Sequence, residues 1–447
     1  MVVDHAAAPQ VLFGMDPMMV STAILIFAYA FIISEKINRT IIALLGGALM
    51  IFMGVLNQDM AIKGVDFNTI ALLTGMMVIV SITEKTGVFQ YVAILSAKLV
   101  KANPRALLIV MGLITAMFSA LLDNVTTVLL TVPITLLLTD QLKINPYPFL
   151  FVQIFASNIG GTATLIGDPP NIMIGSQVGL SFMDFVNNVG LPALLCLIFI
   201  MVFFDFFWGR KMVAAESARA AIMRYVPTEA IEDKGLLIKS LIVLALVLAG
   251  FILGHDHGLM PGTVALAGAA LLMLLQCVGL SAEKQSHKVH ESFQSVEWGT
   301  IFFFIGLFVL VYGVEVAGVL NLMATKLLDI TNNDLFMASM VVLWSSAVLS
   351  AIVDNIPFVA TMIPLIKSTT AAFGGPDAVM PLWWSLSLGA CLGGNGSLIG
   401  ASANVMVAGF AERAGHRISF LKFMALAFPL MLVTIAISTV YVWWAFF

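Results

Sequence analysis

Two aspartates, Asp123 and Asp354, each interrupt a long apolar stretch and are each followed by asparagine: LLDNVTT at 121–127 and IVDNIP at 352–357. A carboxylate inside a membrane must be paired, hydrated by a cavity, bound to a cation or protonated. Both are therefore candidates for coupling solute movement to protons, with Na+ as the alternative ion. Each would also serve as an N-cap, accepting from the orphan N–H groups of the arm that follows, though a neutral Asn or Ser would cap as well. Asp168, in GDPPN at 167–171, is a third proton-coupling candidate. It precedes two prolines that can end one half-helix and start another, so capping is its alternative role too.

Neutral ligands surround these acids. Asn124, Thr126, Thr127 and Asn355 stand beside the two Asp-Asn pairs. Ser157, Asn158, Thr162, Thr164 and Asn171 fall in SNIGGTATLIGDPPN (157–171), and Asn395, Ser397, Ser402 and Asn404 in GGNGSLIGASAN (393–404). Hydroxyls and amides can bind a cation or a hydroxyl-bearing solute. The glycines permit unwound backbone, whose carbonyls or N–H groups add to the site. No Lys or Arg lies in either pair's segment or either glycine-rich frame, so an anion would need helix N-termini or a co-bound cation.

Other reactive residues read as structural. Cys196, Cys277 and Cys391 are too far apart in sequence for a disulfide framework or a metal module, and His255-Asp256-His257 reads as loop chemistry. Glu84 and Glu315 fall at predicted helix ends, where exposure suits them. Neither GTATLIG nor GGNGSLIG continues into the Lys-Ser/Thr of a nucleotide-binding loop. With no metal motif and no nucleophile–base pair, the chain reads as a non-enzyme without cofactors.

The elements that must position these residues are membrane helices. Of 447 residues 60% are hydrophobic and only 10% charged, against about 25% charged in a soluble domain. Plain crossings are expected near 18–34, 39–56, 67–84, 189–208, 236–254, 261–279, 297–314 and 420–444. The stretches 105–138 and 334–370, apolar arms of about 15 residues around a polar centre, read as re-entrant hairpins. The runs 148–175 and 382–410 read as broken crossing helices.

These features repeat. VDFNTIALLTGMMVIVSITEKTGV (65–88) aligns without a gap to VEWGTIFFFIGLFVLVYGVEVAGV (296–319) at an offset of 231, which also carries Asp123-Asn124 onto Asp354-Asn355 and Pro133 onto Pro364. Two more inserted positions bring Gly160-Gly161, Gly167 and Asn171 onto Gly393-Gly394, Gly400 and Asn404, while Asp168 meets Ala401. The expected fold is all-α and polytopic. A first inverted repeat spans 18–208 and a second 236–444, each with three crossings, a hairpin, a broken crossing and a final crossing, joined by a cytoplasmic linker at 209–235. On that topology 18 of the 21 Lys and Arg fall on or return to the inside, and only Lys63, Lys326 and Lys367 fall outside. Both termini are then extracytoplasmic, in an inner (cytoplasmic) membrane. MVVDHAAAPQ has no basic n-region, so the first apolar run reads as a retained helix.

LLDNVTTVLLTVP, SNIGGTATLIGDPPNIMI, DNIPFVATMIP and GACLGGNGSLIGASANV together resemble the ion-transporter superfamily of arsenite permeases, NhaD-type antiporters, the melanosomal P protein and divalent-anion symporters. The resemblance covers about residues 20–444, and the wording is nearest the P-protein branch, often described as arsenical pump or citrate-transporter-like. It implies inverted repeats whose hairpin tips and broken helices enclose solute and coupling ion. Divalent-anion relatives carry Ser-Asn-Thr at the tips where this chain has Asp123-Asn124-Val125 and Asp354-Asn355-Ile356, which favours protons over Na+.

The function expected on these grounds is proton-coupled secondary efflux of arsenite or antimonite. Neutral arsenous acid would be bound by Asn158, Thr162, Asn395 and Ser397 while Asp123 and Asp354 exchange protons. Na+/H+ antiport is the first alternative, and transport of a small anion (dicarboxylate, citrate or chloride) the second. The partners implied are an inorganic solute or ion and membrane lipid, with no nucleic acid; a homodimer and an external ATPase subunit stay open.

Overall fold

The computed structural model describes residues 11–34 and 36–447, and every regular element among them is a helix. The opening MVVDHAAAPQ, with its expected extracytoplasmic terminus, lies outside the described residues. Nine helices among the described residues are long and apolar enough to cross a bilayer, so the chain is an all-α, multi-pass membrane protein.

The first ten helices are α1 Pro17–Ser34, α2 Arg39–Phe52, α3 Gln58–Gly64, α4 Phe67–Glu84, α5 Val88–Leu99, α6 Pro104–Leu121, α7 Asn124–Leu142, α8 Tyr147–Thr162, α9 Pro169–Val178 and α10 Phe182–Phe207. After α11 Glu216–Met223 come α12 Lys234–Leu253, α13 Pro261–Cys277, α14 Ala282–Gln294, α15 Trp298–Val316, α16 Val319–Ile330, α17 Leu335–Ile352, α18 Asn355–Thr369, α19 Met380–Gly393, α20 Ser402–Arg413 and α21 Phe420–Phe446. Taken in order, the second ten match the first ten element for element. The 105–138 and 334–370 stretches become the helix pairs α6/α7 and α17/α18, and the two broken runs become α8/α9 and α19/α20.

Three boundaries depart from expectation for local reasons. The run at 39–56 stops helically at Phe52, because Gly54 turns the chain at φ 80°. α10 starts at Phe182, ahead of the predicted 189, where Ser181 and Asp184 form a reciprocal capping box. The arms α6, α7 and α17 have 18, 19 and 18 residues, or about 27 Å each at 1.5 Å per residue, longer than the predicted arms. Helices α5 and α16, which the apolar runs did not reveal, each begin after a left-handed glycine, Gly87 and Gly318 at φ 78° and 83°.

The halves interleave. α2 packs on α15 and α13 packs on α4, so each half lends a helix to the other. A Cβ on Gly306 would lie 2.5 Å from the Ala43 carbonyl carbon, so glycine is what lets α15 and α2 touch backbone to backbone. Matched bonds recur in both halves. Ser119 Oγ donates to the Ser157 carbonyl as Ser350 Oγ does to Ala390, and Thr164 Oγ1 donates to Ala120 as Ser397 Oγ does to Ala351. Each set ties a broken helix to the arm that carries an Asp-Asn pair.

At the end of α4, Lys85 bridges to Glu291 of the polar helix α14 at 3.0 Å, and Lys288 approaches the same carboxylate at 3.0 Å. The two ammonium groups hold the Glu291 carboxyl down at about 2. A lowered carboxyl stabilises the fold above its ordinary pKa of about 4.3 and loses that contribution as pH falls through the folded value. Glu291→Gln should therefore cost at most about 1 kcal/mol, as partly exposed pairs do. The gap in melting temperature from wild type, measured in detergent, should be smaller at about pH 3 than at about pH 7.

Candidate functional site

The break between α6 and α7 falls at Leu122-Asp123, and that between α17 and α18 at Val353-Asp354. Asp123 caps α7: one carboxylate oxygen accepts from the Thr126 N–H at 2.7 Å and the other from the Thr126 hydroxyl. Asp354 does more than cap. One oxygen accepts from the Ile356 N–H at 3.2 Å, while the other accepts from the Arg39 guanidinium and from Ser402 Oγ at 3.2 Å. The same Arg39 nitrogen donates to Ser402 Oγ at 2.9 Å. A cation thus stands at the second tip, which corrects the reading that none was available. Arg39 begins α2, far away in sequence, and arrives through the α2–α15 crossing.

Asp168 begins α9 but makes no capping bond. Its buried carboxylate instead accepts from Asn355 Nδ2 at 3.2 and 3.4 Å, which links the first broken helix to the second tip. A chain of amides continues inward: Asn124 Nδ2 donates to Asn158 Oδ1 at 3.3 Å, and Asn158 Nδ2 donates to Asn395 Oδ1 at 3.1 Å and Asn404 Oδ1 at 2.9 Å. Asn124 Oδ1, Thr127 Oγ1 and Asn395 Nδ2 are buried with no bond among the described residues, leaving an acceptor, a hydroxyl that can donate or accept, and a donor for a ligand or water.

The other expected ligands are committed to the backbone. Asn171 Nδ2 donates to the Thr162 and Thr164 carbonyls at 3.0 and 2.9 Å, and Asn404 Nδ2 to those of Gly394 and Ser397 at 2.7 and 2.8 Å. Each amide satisfies carbonyls freed where its helix unwinds. The Thr162 hydroxyl bonds the Asn158 carbonyl at 2.7 Å, and Ser397 serves the Ala351 carbonyl. The predicted residues therefore divide. Asp123, Asp168, Asp354, Asn124, Thr127, Asn158, Asn355 and Asn395 converge; Thr126, Thr162, Asn171 and Ser397 hold the scaffold of the breaks, and Asn404 does both, its oxygen accepting from Asn158 while its nitrogen donates to the broken backbone.

Two spaces meet at the tips. A cleft of about 20 Å³, room for about one water, is lined by Asp123, Asp168, Glu297, Thr300, Asn355 and Arg39 among others. Beside it a cavity of about 270 Å³ is bounded by Asn38, Arg39, Glu297, Asp354 and Ser402 and by apolar groups of α1 and α20. A third cavity, about 170 Å³, lies at the far ends of α9, α15 and α18, lined by Gln177, Glu315 and Lys367 together with Lys63. Those three helices start at the tips and end at this third cavity, so the central cleft sits between two separate recesses. Two of the three basic residues expected outside, Lys63 and Lys367, line the same far recess. Glu315, exposed at the end of α15 as expected, is one of the residues lining this recess.

Glu297 and Arg39 escaped sequence reading for different reasons. Glu297 matches Asp66 in the aligned segments, and both bond the threonine three residues on, Thr69 at 2.8 Å and Thr300 at 3.2 Å. The alignment itself was the available signal. Arg39 has no such mark, for it reads as an ordinary basic flank of a crossing.

The citrate transporter family model matches residues 29–389, most of the chain, including both Asp-Asn pairs and the first glycine-rich frame, and ends just before the second frame. The chain belongs to the citrate transporter family. An uncharacterized transporter of Mycobacterium tuberculosis is 41% identical over 432 residues, covering 96% of this chain and 98% of the relative. A 46 kDa membrane protein of Mycobacterium leprae is 38% identical over 428 residues, with coverages of 95% and 98%. The human P protein is 33% identical over 509 residues, covering 94% of this chain and 59% of the P protein, in line with the resemblance in the motifs. In fold the chain is similar to the crystal structure of the Alcanivorax borkumensis YdaH transporter, with a TM-score of 0.61 at 13% identity over 96% of this chain and 98% of that one. The chain is accordingly a membrane-embedded secondary transporter of small solutes and not an enzyme.

Proposed function

We propose that this chain is a proton-coupled transporter of a small carboxylate-bearing anion in the cytoplasmic membrane. The carrying observation is Arg39, whose guanidinium is held by Asp354 and Ser402 at the wall of the 270 Å³ cavity. A substrate carboxylate entering that cavity competes with Asp354 for Arg39. Displaced from its partner, the Asp354 carboxylate is the group that takes the coupled proton in this scheme. Binding of the anion and of a proton are thereby linked, and release of both restores the ion pair. Asp123 and Asp168, across the one-water cleft, are the residues to which the proton passes. Glu297 adds a further acid, so the site holds more carboxylates than cations and rejects an anion that arrives without a proton.

The family description, a citrate transporter, supports this anion reading over the arsenite and antimonite efflux expected from the neutral ligands alone. The architecture proposed with it is a pair of inverted repeats, 18–208 and 236–444, around a cytoplasmic linker, with the α6/α7 and α17/α18 pairs as re-entrant hairpins. The element-by-element match of the two halves and the recurring Ser119/Ser350 and Thr164/Ser397 bonds support it. Both termini are then extracytoplasmic and the 270 Å³ cavity opens inward. The mechanism asks for neither an accessory ATPase nor a second copy. Na+ as the coupling ion is the second reading, favoured by the one-water cleft and its carboxylate, threonine and asparagine oxygens.

The test is flux in proteoliposomes with proton and Na+ gradients imposed separately, using citrate and arsenite. Citrate uptake driven by the proton gradient, lost in its pH dependence on Asp354→Asn, is the expected result. Arsenite flux without citrate flux would return the assignment to arsenite efflux, and drive by Na+ alone would replace the coupling ion.

A further inference from the structure

On the outer surface of the bundle, away from the tips, α6 and α10 do not close on each other along their whole length. Ile109 and Leu113 of α6 face Leu194, Ile198, Met201 and Val202 of α10 across an apolar groove of about 390 Å³. From Leu194 to Asp205 the groove runs about 16 Å at 1.5 Å per residue, the length of much of one acyl chain. Leu113, Leu194, Ile198 and Val202 are all exposed, so protein does not cover it.

One end of the groove is basic. Asp205 is fully engaged by Arg105, Nε to Oδ1 at 2.6 Å and Nη2 to Oδ2 at 2.7 Å. Gly209 permits this fork, since a Cβ there would fall 2.7 Å from Asp205 Oδ1. Arg210, which lines the groove, stands 3.7 Å from the same carboxylate, too far for a hydrogen bond, and its guanidinium lies 5.0 Å over the Phe206 ring. Lys211 follows it. Arg105, Arg210 and Lys211 against Asp205 leave two positive charges in excess where the apolar groove ends. Trp208, stacked on Phe204 at 5.3 Å, marks the level of the membrane interface.

We infer that this groove is a binding site for an anionic phospholipid, one acyl chain lying along α6 and α10 and the phosphate meeting Arg210 and Lys211. Charge selects the occupant. A neutral phospholipid would fill the groove equally well but would leave the two surplus cations uncompensated, whereas basic pockets between helices at an interface take anionic headgroups. The lipid would have a mechanical role, because α6 is the arm that leads to Asp123. It wedges that arm against α10, which otherwise reaches it chiefly through α8. The inference is independent of the solute carried.

The experiment uses the intact chain in detergent, titrated with phosphatidylglycerol or phosphatidylcholine, read by native mass spectrometry and by melting temperature. Two variants accompany wild type: Arg210→Gln with Lys211→Gln, which removes the charge, and Ile198→Trp, which fills the groove and keeps the charge. Wild type should retain phosphatidylglycerol at least about tenfold better than phosphatidylcholine and melt higher with it. The charge variant should retain both lipids equally, and the tryptophan variant should retain neither. Equal retention of the two lipids by wild type, or undiminished phosphatidylglycerol retention by both variants, overturns the site. If one variant fails to fold, the other and the wild-type preference still decide.

Discussion

Arg39→Gln should lower proton-coupled anion flux between about 10- and 100-fold while the chain still folds. A hydrogen bond to a charged partner is worth about 1.5–3 kcal/mol, and each 1.4 kcal/mol is tenfold in binding. Glutamine keeps a donor for Ser402 and fits the space, but it has no charge to offer a substrate carboxylate. The loss should appear mainly in KM for the anion. Arg39→Lys should recover part of it only, since a point charge cannot reproduce the guanidinium that joins Asp354 and Ser402. Asp354→Asn makes the contrasting case. It frees Arg39, so anion affinity should hold or rise while the pH dependence of flux flattens, because the group that trades its partner for a proton is gone. Flux against pH in all three variants is the measurement. If Arg39→Gln transports like wild type, the guanidinium is only a structural tie and the anion reading loses its main support.

The central acids and amides were legible because polar residues stand out in an apolar sequence. Asp123, Asp168 and Asp354 could be named, and they do meet, because a charge inside a membrane needs a reason. The glycine-rich frames marked the breaks in α8/α9 and α19/α20 for a similar reason, since glycine and proline are the residues that interrupt helices. What the sequence hid was partnership. Asn171 and Asn404 looked like free ligands, yet an unwound turn strands carbonyls and an asparagine in the first turn of the helix that follows is placed to donate to them; only distances separate that role from solute binding. Arg39 was hidden for the opposite reason. It looks like every other basic residue at the end of a crossing, and its approach to Asp354 depends on α2 packing on α15, a contact between residues 315 positions apart. Helices α5 and α16 lack a long apolar run, and the left-handed Gly87 and Gly318 that start them are visible as a pair only once the halves are aligned.

The second large effect should come from a methyl group. Gly160 of α8 faces α6 so closely that a Cβ would lie 2.2 Å from the Ala116 carbonyl oxygen; its counterpart Gly393 of α19 would place one 2.5 Å from the Ala347 oxygen on α17. Backbone cannot yield as a side chain does, so Gly160→Ala must push α6 and α8 apart. Overpacking of this kind costs about 1–3 kcal/mol, against a gain of only about 1 kcal/mol in helix propensity. The displacement also has a target. Asn158 lies two residues before Gly160 and accepts from Asn124, at the start of α7 just past the end of α6, at 3.3 Å, a bond already near the limit of its reach. Flux should therefore fall further than the melting temperature suggests. Gly190→Ala on α10 supplies the control, because its nearest neighbours stand 3.9 Å from the added Cβ and the substitution should be neutral or slightly stabilising. Gly393→Ala should resemble Gly160→Ala, since the second broken helix is tied to its arm by the matched bonds. Melting in detergent and flux in proteoliposomes, measured for all three, would separate the outcomes. A Gly160→Ala protein that melts and transports like Gly190→Ala would mean that the arm and the broken helix do not pack at this distance, and that the tip is held by its hydrogen bonds alone.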